Sequence, residues 1–244
     1  MTEINGHVRH MGYFCPLTTN DQNIMESRNA KFKSNKDGEA RMFENNFLDS
    51  LTKTHIAIPV TIFFVYAIGL LYRTYLNTDL GFLTVAGVFL AGTFLFTFAE
   101  YAIHRWVYHP PHDASEGYKE FTYKVHGLHH DYPKDKQRLA MPPVLAVIIA
   151  TLLLFLFELV LNQYGDAFAA GFVTGYAMYL LIHYSIHIFA PPKNVFRMLW
   201  VYHSIHHYSE DEILFGVSNP LWDFIFGTMP RNKKDRKMVR EIHR

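Results

Sequence analysis

The sequence predicts an all-α integral membrane protein, with four membrane-spanning helices and a cytoplasmic helical cap that carries a histidine-rich site. Three observations predict it. Four apolar runs approach bilayer length, nearly all basic residues fall on one side of them, and ten of the fifteen histidines cluster on that same side at helical spacing. Half of the 244 residues are hydrophobic and 16% are aromatic, while the net charge is only +1, so no nucleic-acid partner is expected. The single cysteine, Cys15, leaves no internal disulfide framework and no cysteine-based zinc cluster.

Taken in order, residues 1–41 are polar and expected to be a loosely ordered N-terminal segment, with nothing of a cleaved signal peptide in them. Residues 42–230 form the expected membrane domain, and 231–244 a basic C-terminal tail suited to anionic lipid or an acidic protein. Met42–Lys53 places Phe43, Phe47 and Leu51 four apart, a helical stripe suited to a bilayer surface. The apolar runs are 56–76, 80–100, 143–161 and 167–189, each close to the roughly 20 residues a crossing helix needs. Two tight hairpins, Arg73–Asp79 and Asn162–Asp166, join them in pairs.

Of 23 Lys and Arg residues, all but Arg73 lie before the first run, between the second and third, or after the fourth. The preference of cationic loops for the cytoplasm therefore places both termini and the histidines on the cytoplasmic side. A soluble protein with very apolar core helices would show no such asymmetry. Glu158 is an anomaly, a carboxylate inside the third run, and is expected to reach the far interface or stay protonated.

The histidines fall in four clusters: His104 and His109; His126, His129 and His130; His183 and His187; His203, His206 and His207. Residues three and four apart share one helix face, so three of the clusters point inward as sets. His104 and His109 are five apart and need a helix end or a wider turn between them. Ten convergent imidazoles would repel if protonated and lack partners if neutral and unbound. A metal removes both problems, since it requires neutral imidazole and holds several at once. A closed zinc site takes four ligands, so ten suit two ions, with positions left open for oxygen or substrate. All-nitrogen ligation fits iron, zinc or copper.

The remaining histidines are weaker candidates. His7, His10 and His243 lie in polar ends, His55 precedes the first run, and His112 falls near the clusters. Ligating histidines commonly donate their other N–H to a carboxylate or carbonyl. Glu100, Asp131, Asp135 and Asp223 are candidates for that support, with Glu210 and Asp211 behind them. Arg138 is expected to pair with one of these aspartates or with a substrate carboxylate. Trp106, Trp200 and Trp222 are expected in the interfacial aromatic belt.

The four-cluster pattern, HxxxxH, HxxHH, HxxxH and HxxHH, resembles the fatty acid hydroxylase superfamily of membrane di-metal oxygenases. Two longer stretches, HGLHHDYPKDKQRLAMPP (126–143) and YHSIHHYSEDEILFGVSNPLWDFIFGT (202–228), are similar to the fatty acid 2-hydroxylase branch, the ceramide or sphingolipid fatty acid hydroxylases. The resemblance covers about residues 43–230. It implies that the ten clustered histidines ligate two metal ions, iron in the working enzyme. It also implies O2-dependent monooxygenation at C2 of a long acyl chain, as a free fatty acid or a ceramide amide.

Eukaryotic members of that branch often carry a fused cytochrome b5 domain with a His-Pro-Gly-Gly motif, and this sequence has none. Electrons are then expected from a separate donor, such as cytochrome b5 or a ferredoxin with its reductase. Zinc outranks ferrous iron at nitrogen sites, so purified protein is expected to accept zinc as well. The same boxes also fit oxygenases acting on a sterol, carotenoid or alkyl ether lipid. A metal transporter or bis-histidine haem protein is the non-oxygenase alternative, but a transporter would place its ligands near the bilayer midplane.

Overall fold

The computed structural model describes residues 32–230, and every regular element among them is helical. The short helix α1 (Asn46–Leu51) starts where the Asn45 side chain accepts from the amides of Phe47 and Leu48. α2 (Ala57–Asn77) and α3 (Phe82–Ile103) follow, and α3 runs on through a π-helical turn, His104–Tyr108. α4 (Glu116–Thr122), capped by Ser115, leads through a second π-helical turn (Tyr123–Gly127) into α5 (Leu128–Asp131). α6 (Pro143–Leu161) begins on a proline, where the missing N–H costs nothing. A 3₁₀ turn (Asn162–Tyr164) joins it to α7 (Gly165–Ile188); α8 (Arg197–Tyr208) and α9 (Leu221–Phe226) complete the chain.

Among the described residues, three helices are long and apolar enough to cross a membrane: Ala57–Asn77, Phe82–Tyr108 and Pro143–Ile188. Only 11% of the most apolar stretch of Phe82–Tyr108 is buried inside the protein, whereas a soluble core helix would hide most of it. Phe82, Leu83, Val144 and Leu159 are each at least 75% exposed on the outer faces. The third helix, 46 residues long, is bent back at Asn162, whose backbone takes φ 50° and ψ −124°. Its arms, α6 and α7, lie against each other, close enough that a Cβ on Gly165 would sit 2.6 Å from the Glu158 Cα. Arg73 closes the same end of the molecule, 2.6 Å from Glu158 and 3.2 Å from Asp166. Glu158 is therefore an ion-paired group rather than a lone one.

α7 is the central helix. Its small residues Ala169, Ala170, Val173 and Ala177 pack against Phe63, Ala67 and Leu70 of α2 and Ala146, Ala150 and Leu154 of α6. Against α3 the approach is closer still, since a Cβ on Gly92 would lie 2.0 Å from the Phe168 carbonyl oxygen. One on Gly171 would lie 1.9 Å from that of Phe89. The Thr93 hydroxyl donates across this seam to the Gly171 carbonyl, 3.0 Å away.

Two expectations change. The stripe helix is shorter than Met42–Lys53, and Phe43 lies before it; the Asp49 carboxylate accepts from the Met42 and Phe43 amides and ties that stretch to the helix from outside it. Residues 32–41, expected to be loose, are tied to the segment after the second histidine cluster. The Lys33 and Ser34 amides donate to the Asp131 carbonyl, and the Ala40 amide to the Asp135 carboxylate. Cys15, His7, His10, His243 and the basic tail lie outside the described residues.

Candidate metal centre

All ten clustered histidines meet at one end of the helices. They form two groups of five, each with one nitrogen per residue and all those nitrogens within 4.8 Å of one another. The first group is His104, His109, His126, His130 and His206; the second is His129, His183, His187, His203 and His207. The HxxHH clusters are thus divided. His126 and His130 serve the first group and His129 the second, while His206 serves the first and His203 and His207 the second. Each of those helices bridges both groups, which fixes the distance between them.

The five-residue gap between His104 and His109 is solved by the π-helical turn, whose wider pitch brings positions five apart toward one face. A second π-helical turn, Tyr123–Gly127, holds His126 and leads into α5, which carries His129 and His130. α7 presents His183 and His187 one turn apart, and α8 presents His203 and His207 likewise.

Close nitrogen contacts run through both groups. In the first, the His126 Nε2 lies 3.0 Å from that of His104 and 2.9 Å from that of His130. In the second, Nε2 atoms link His129 to His183 at 3.1 Å, His183 to His187 at 3.1 Å, His187 to His203 at 2.8 Å and His203 to His207 at 3.0 Å. A neutral imidazole has one N–H, so a string of four such contacts exceeds what shared protons satisfy. A cation at metal–nitrogen distances of about 2.0–2.1 Å satisfies them together. His206 gives a sharper sign. Its Nδ1 faces the Ile213 carbonyl at 2.8 Å, and its Nε2 is buried with no hydrogen-bond partner among the described residues.

Burial, followed by the neighbouring imidazoles, pushes His126, His129, His130, His203, His206 and His207 well below the ordinary imidazole value of 6.5. These side chains are neutral at physiological pH, the state a metal ligand needs.

The supports differ from those the sequence suggested. His104 Nδ1 meets the Phe215 carbonyl at 2.6 Å, and His206 the Ile213 carbonyl, so backbone oxygens of the 213–215 loop orient the rings. Glu100 and Asp223 act on that loop rather than on imidazoles. Glu100 accepts from the Val217 and Ser218 amides and the Ser218 hydroxyl. Asp223 accepts from the Phe215 and Gly216 amides and from Thr228. Asp131 binds Lys33 and Tyr123, and Asp135 binds the Ala40 and Gln137 amides. Arg138 pairs at 2.5 Å with Asp49, not with the aspartates near the histidines.

His112 lies 3.3 Å from Glu212 at the exposed surface, and the His55 Nδ1 accepts from the Ala57 amide at 3.3 Å. The Trp200 indole donates to the Phe189 carbonyl and that of Trp222 to Thr97, while Trp106 is half exposed beside Phe226. Backbone carbonyls carry no side-chain signal, which is why the loop's role was invisible in sequence. Tyr108, stacked on His126 with ring centroids 4.9 Å apart, lay in plain view inside HRWVYH but without a pattern to single it out.

A cavity of about 390 Å³ opens beside the first group, lined by His109, His126, His130 and His207 together with Lys119, Tyr123 and Asp211.

The fatty acid hydroxylase family model matches residues 89–228, which span all ten of these histidines. The chain is 35% identical over 198 residues to the ceramide very long chain fatty acid hydroxylase scs7 of Schizosaccharomyces pombe, covering 78% of this chain and 55% of that one. It is 31% identical to a dihydroceramide fatty acyl 2-hydroxylase of Arabidopsis thaliana, covering 81% and 83%. To the human fatty acid 2-hydroxylase it is 30% identical, covering 81% and 58%. The chain thus spans little more than half the length of the fission yeast and human relatives. A solved structure of full-length scs7p, with only the hydroxylase domain visible, superposes with a TM-score of 0.70 at 32% identity, covering 76% of this chain and 70% of that one.

Proposed function

Since the chain belongs to the fatty acid hydroxylase family, we propose that it is a membrane di-metal monooxygenase that hydroxylates a fatty acyl chain at C2, as a free fatty acid or a ceramide amide. The observation that carries this reading is the convergence of ten buried or half-buried histidines into two groups of five. The ceramide and fatty acid 2-hydroxylases among its relatives support the substrate class and the position of attack.

In this reading the ten histidines hold two ions, iron in the working enzyme and zinc where zinc is abundant during purification. Bound iron supplies the activation of O2 that side-chain acid–base chemistry cannot. One oxygen atom enters the C2–H bond and the other leaves as water, with two electrons from a protein donor and two protons from solvent. The chain's own residues keep the imidazoles neutral by burial and fix the ring planes of His104 and His206 through the Phe215 and Ile213 carbonyls. The apolar helices keep the acyl chain out of water while its polar head reaches the histidines.

The same reading gives Pro143–Ile188 two crossings, hence four in all, with the histidines and both termini cytoplasmic. The fold-back at Asn162 and the placement of 22 of 23 basic residues support it. Lipid mass spectrometry of cells with and without the protein tests the activity. Cells gain 2-hydroxy fatty acids, and lose that gain with His129→Ala or His206→Ala. An unchanged profile in a host supplying ceramide, O2 and a reductase overturns the proposal.

A further inference from the structure

We propose that the cavity lined by His109, His126 and His130 is the port through which the first histidine group exchanges its divalent cation with solvent, while the second group, whose five ligands are all buried, releases its cation more slowly. The inference rests on the reading of the ten histidines as two metal sites. It concerns a difference between them that the family resemblance does not supply.

The groups are unequal in burial. His109 and His130 of the first group are half-buried, and both line the cavity. All five members of the second are buried, at 7% exposure for His129, 4% for His183, 9% for His187, 2% for His203 and 1% for His207. His207 alone among them reaches the cavity wall, with its ring near-parallel to that of His130 and 4.1 Å from it. A ligand that swings into solvent lets water take its place on the ion one position at a time. His109 and His130 border the cavity into which such a turn would go. His183 and His187 sit within α7, packed against His203 and His129, and release of their ion needs α7 or α8 to part.

Lys119, Tyr123, Asp131 and Asp211 place polar groups on the cavity wall beside His109 and His130, where water and a hydrated cation find partners. Its rim is tied by Lys33, whose ammonium lies 2.7 Å from Asp131 and 3.0 Å from the Tyr123 hydroxyl.

The test uses the full chain in detergent, loaded with zinc, challenged with EDTA and followed by elemental analysis of metal per chain. One of two equivalents leaves roughly tenfold faster than the other, the difference expected when one route needs a helix to open and the other a side chain to turn. His109→Ala removes the fast equivalent and leaves the slow one; His183→Ala does the reverse. Lys119→Trp, at the half-exposed mouth, slows the fast phase and leaves the slow phase unchanged. Loss of both ions in a single phase overturns the inference, and this reading of the native chain needs no variant to fold. A fast equivalent that survives in His109→Ala, or is untouched by Lys119→Trp, overturns it as well. A chain that takes up no metal overturns the di-metal reading itself, a different result from two ions that leave together.

Discussion

Asp223 shows how a carboxylate can govern a histidine it does not touch. Its oxygens accept from the Phe215 and Gly216 amides and the Thr228 hydroxyl, each within 2.9 Å, and burial pushes its pKa up against those bonds. The loop so held presents the Phe215 carbonyl to His104. Asp223→Asn must turn an amide NH₂ toward one of the two backbone N–H groups, so the loop shifts whichever way the side chain flips. Loss of such indirect support typically weakens metal binding by about 10–100-fold. The expected outcome is weaker binding by the first group alone, read as one labile and one retained zinc per chain in competition with a chelator. Gly216→Ala should act in the same direction, because the added methyl would lie 2.2 Å from the Asn219 carbonyl oxygen and 2.7 Å from Asp223. Equal weakening of both groups would show that the loop serves the whole centre.

At the scale of elements, the α3–α7 seam and the α1 anchor set the histidines' positions from outside the centre. α3 and α7 meet backbone to backbone at Gly92 and Gly171, as small residues allow in membrane helices, and each helix ends in ligands of a different group. Gly92→Leu should force the helices apart, costing about 1–3 kcal/mol as overpacking does, and lower both the melting temperature in detergent and the bound metal. The α1 anchor is electrostatic. Asp49 is pushed up by burial but pulled further down by the Met42 amide, Lys53, the Phe43 amide and Arg138, so its folded-state pKa lies below the ordinary 3.8. A depressed carboxylate stabilises the fold above its unfolded pKa and loses that contribution as pH falls. Asp49→Asn should therefore destabilise the protein by about 3 kcal/mol near neutral pH, since Arg138 is left buried without its charge partner. That difference should shrink below about pH 4, where the carboxylate of the unfolded chain binds a proton that the folded one does not. Thermal melts of both proteins from pH 7 to pH 3 check it, and a pH-independent difference would assign the anchor to packing instead.

Across the whole molecule, what the sequence made legible was what side-chain pattern encodes. The bounds of Pro143–Leu161 and the convergence of all ten histidines followed from apolar length and from spacings of three and four. The division of each HxxHH cluster between two groups did not, because it depends on how α5 and α8 face each other across the centre. Nor did the partner of Arg138, since Asp49 lies 89 residues away and nothing local links them. For the crossings, the sequence reads two runs, 143–161 and 167–189, whereas the structure joins them in one helical stretch, Pro143–Ile188, of 46 residues. At 1.5 Å per residue it would extend about 69 Å, more than twice a hydrocarbon core of roughly 30 Å. The turn at Asn162 folds α6 and α7 against each other, and Arg73 bridges to both Glu158 and Asp166 at that tip, which supports the proposed pair of crossings. Membrane-impermeant thiol labelling can decide it, in a Cys15→Ser background carrying Asp79→Cys, Gln163→Cys or Glu212→Cys. Sites 79 and 163 should label from the same face of sealed vesicles and 212 from the opposite face. Labelling of 79 and 163 from opposite faces would mean that the two hairpin tips lie on different sides of the bilayer, and the four-crossing arrangement would fall.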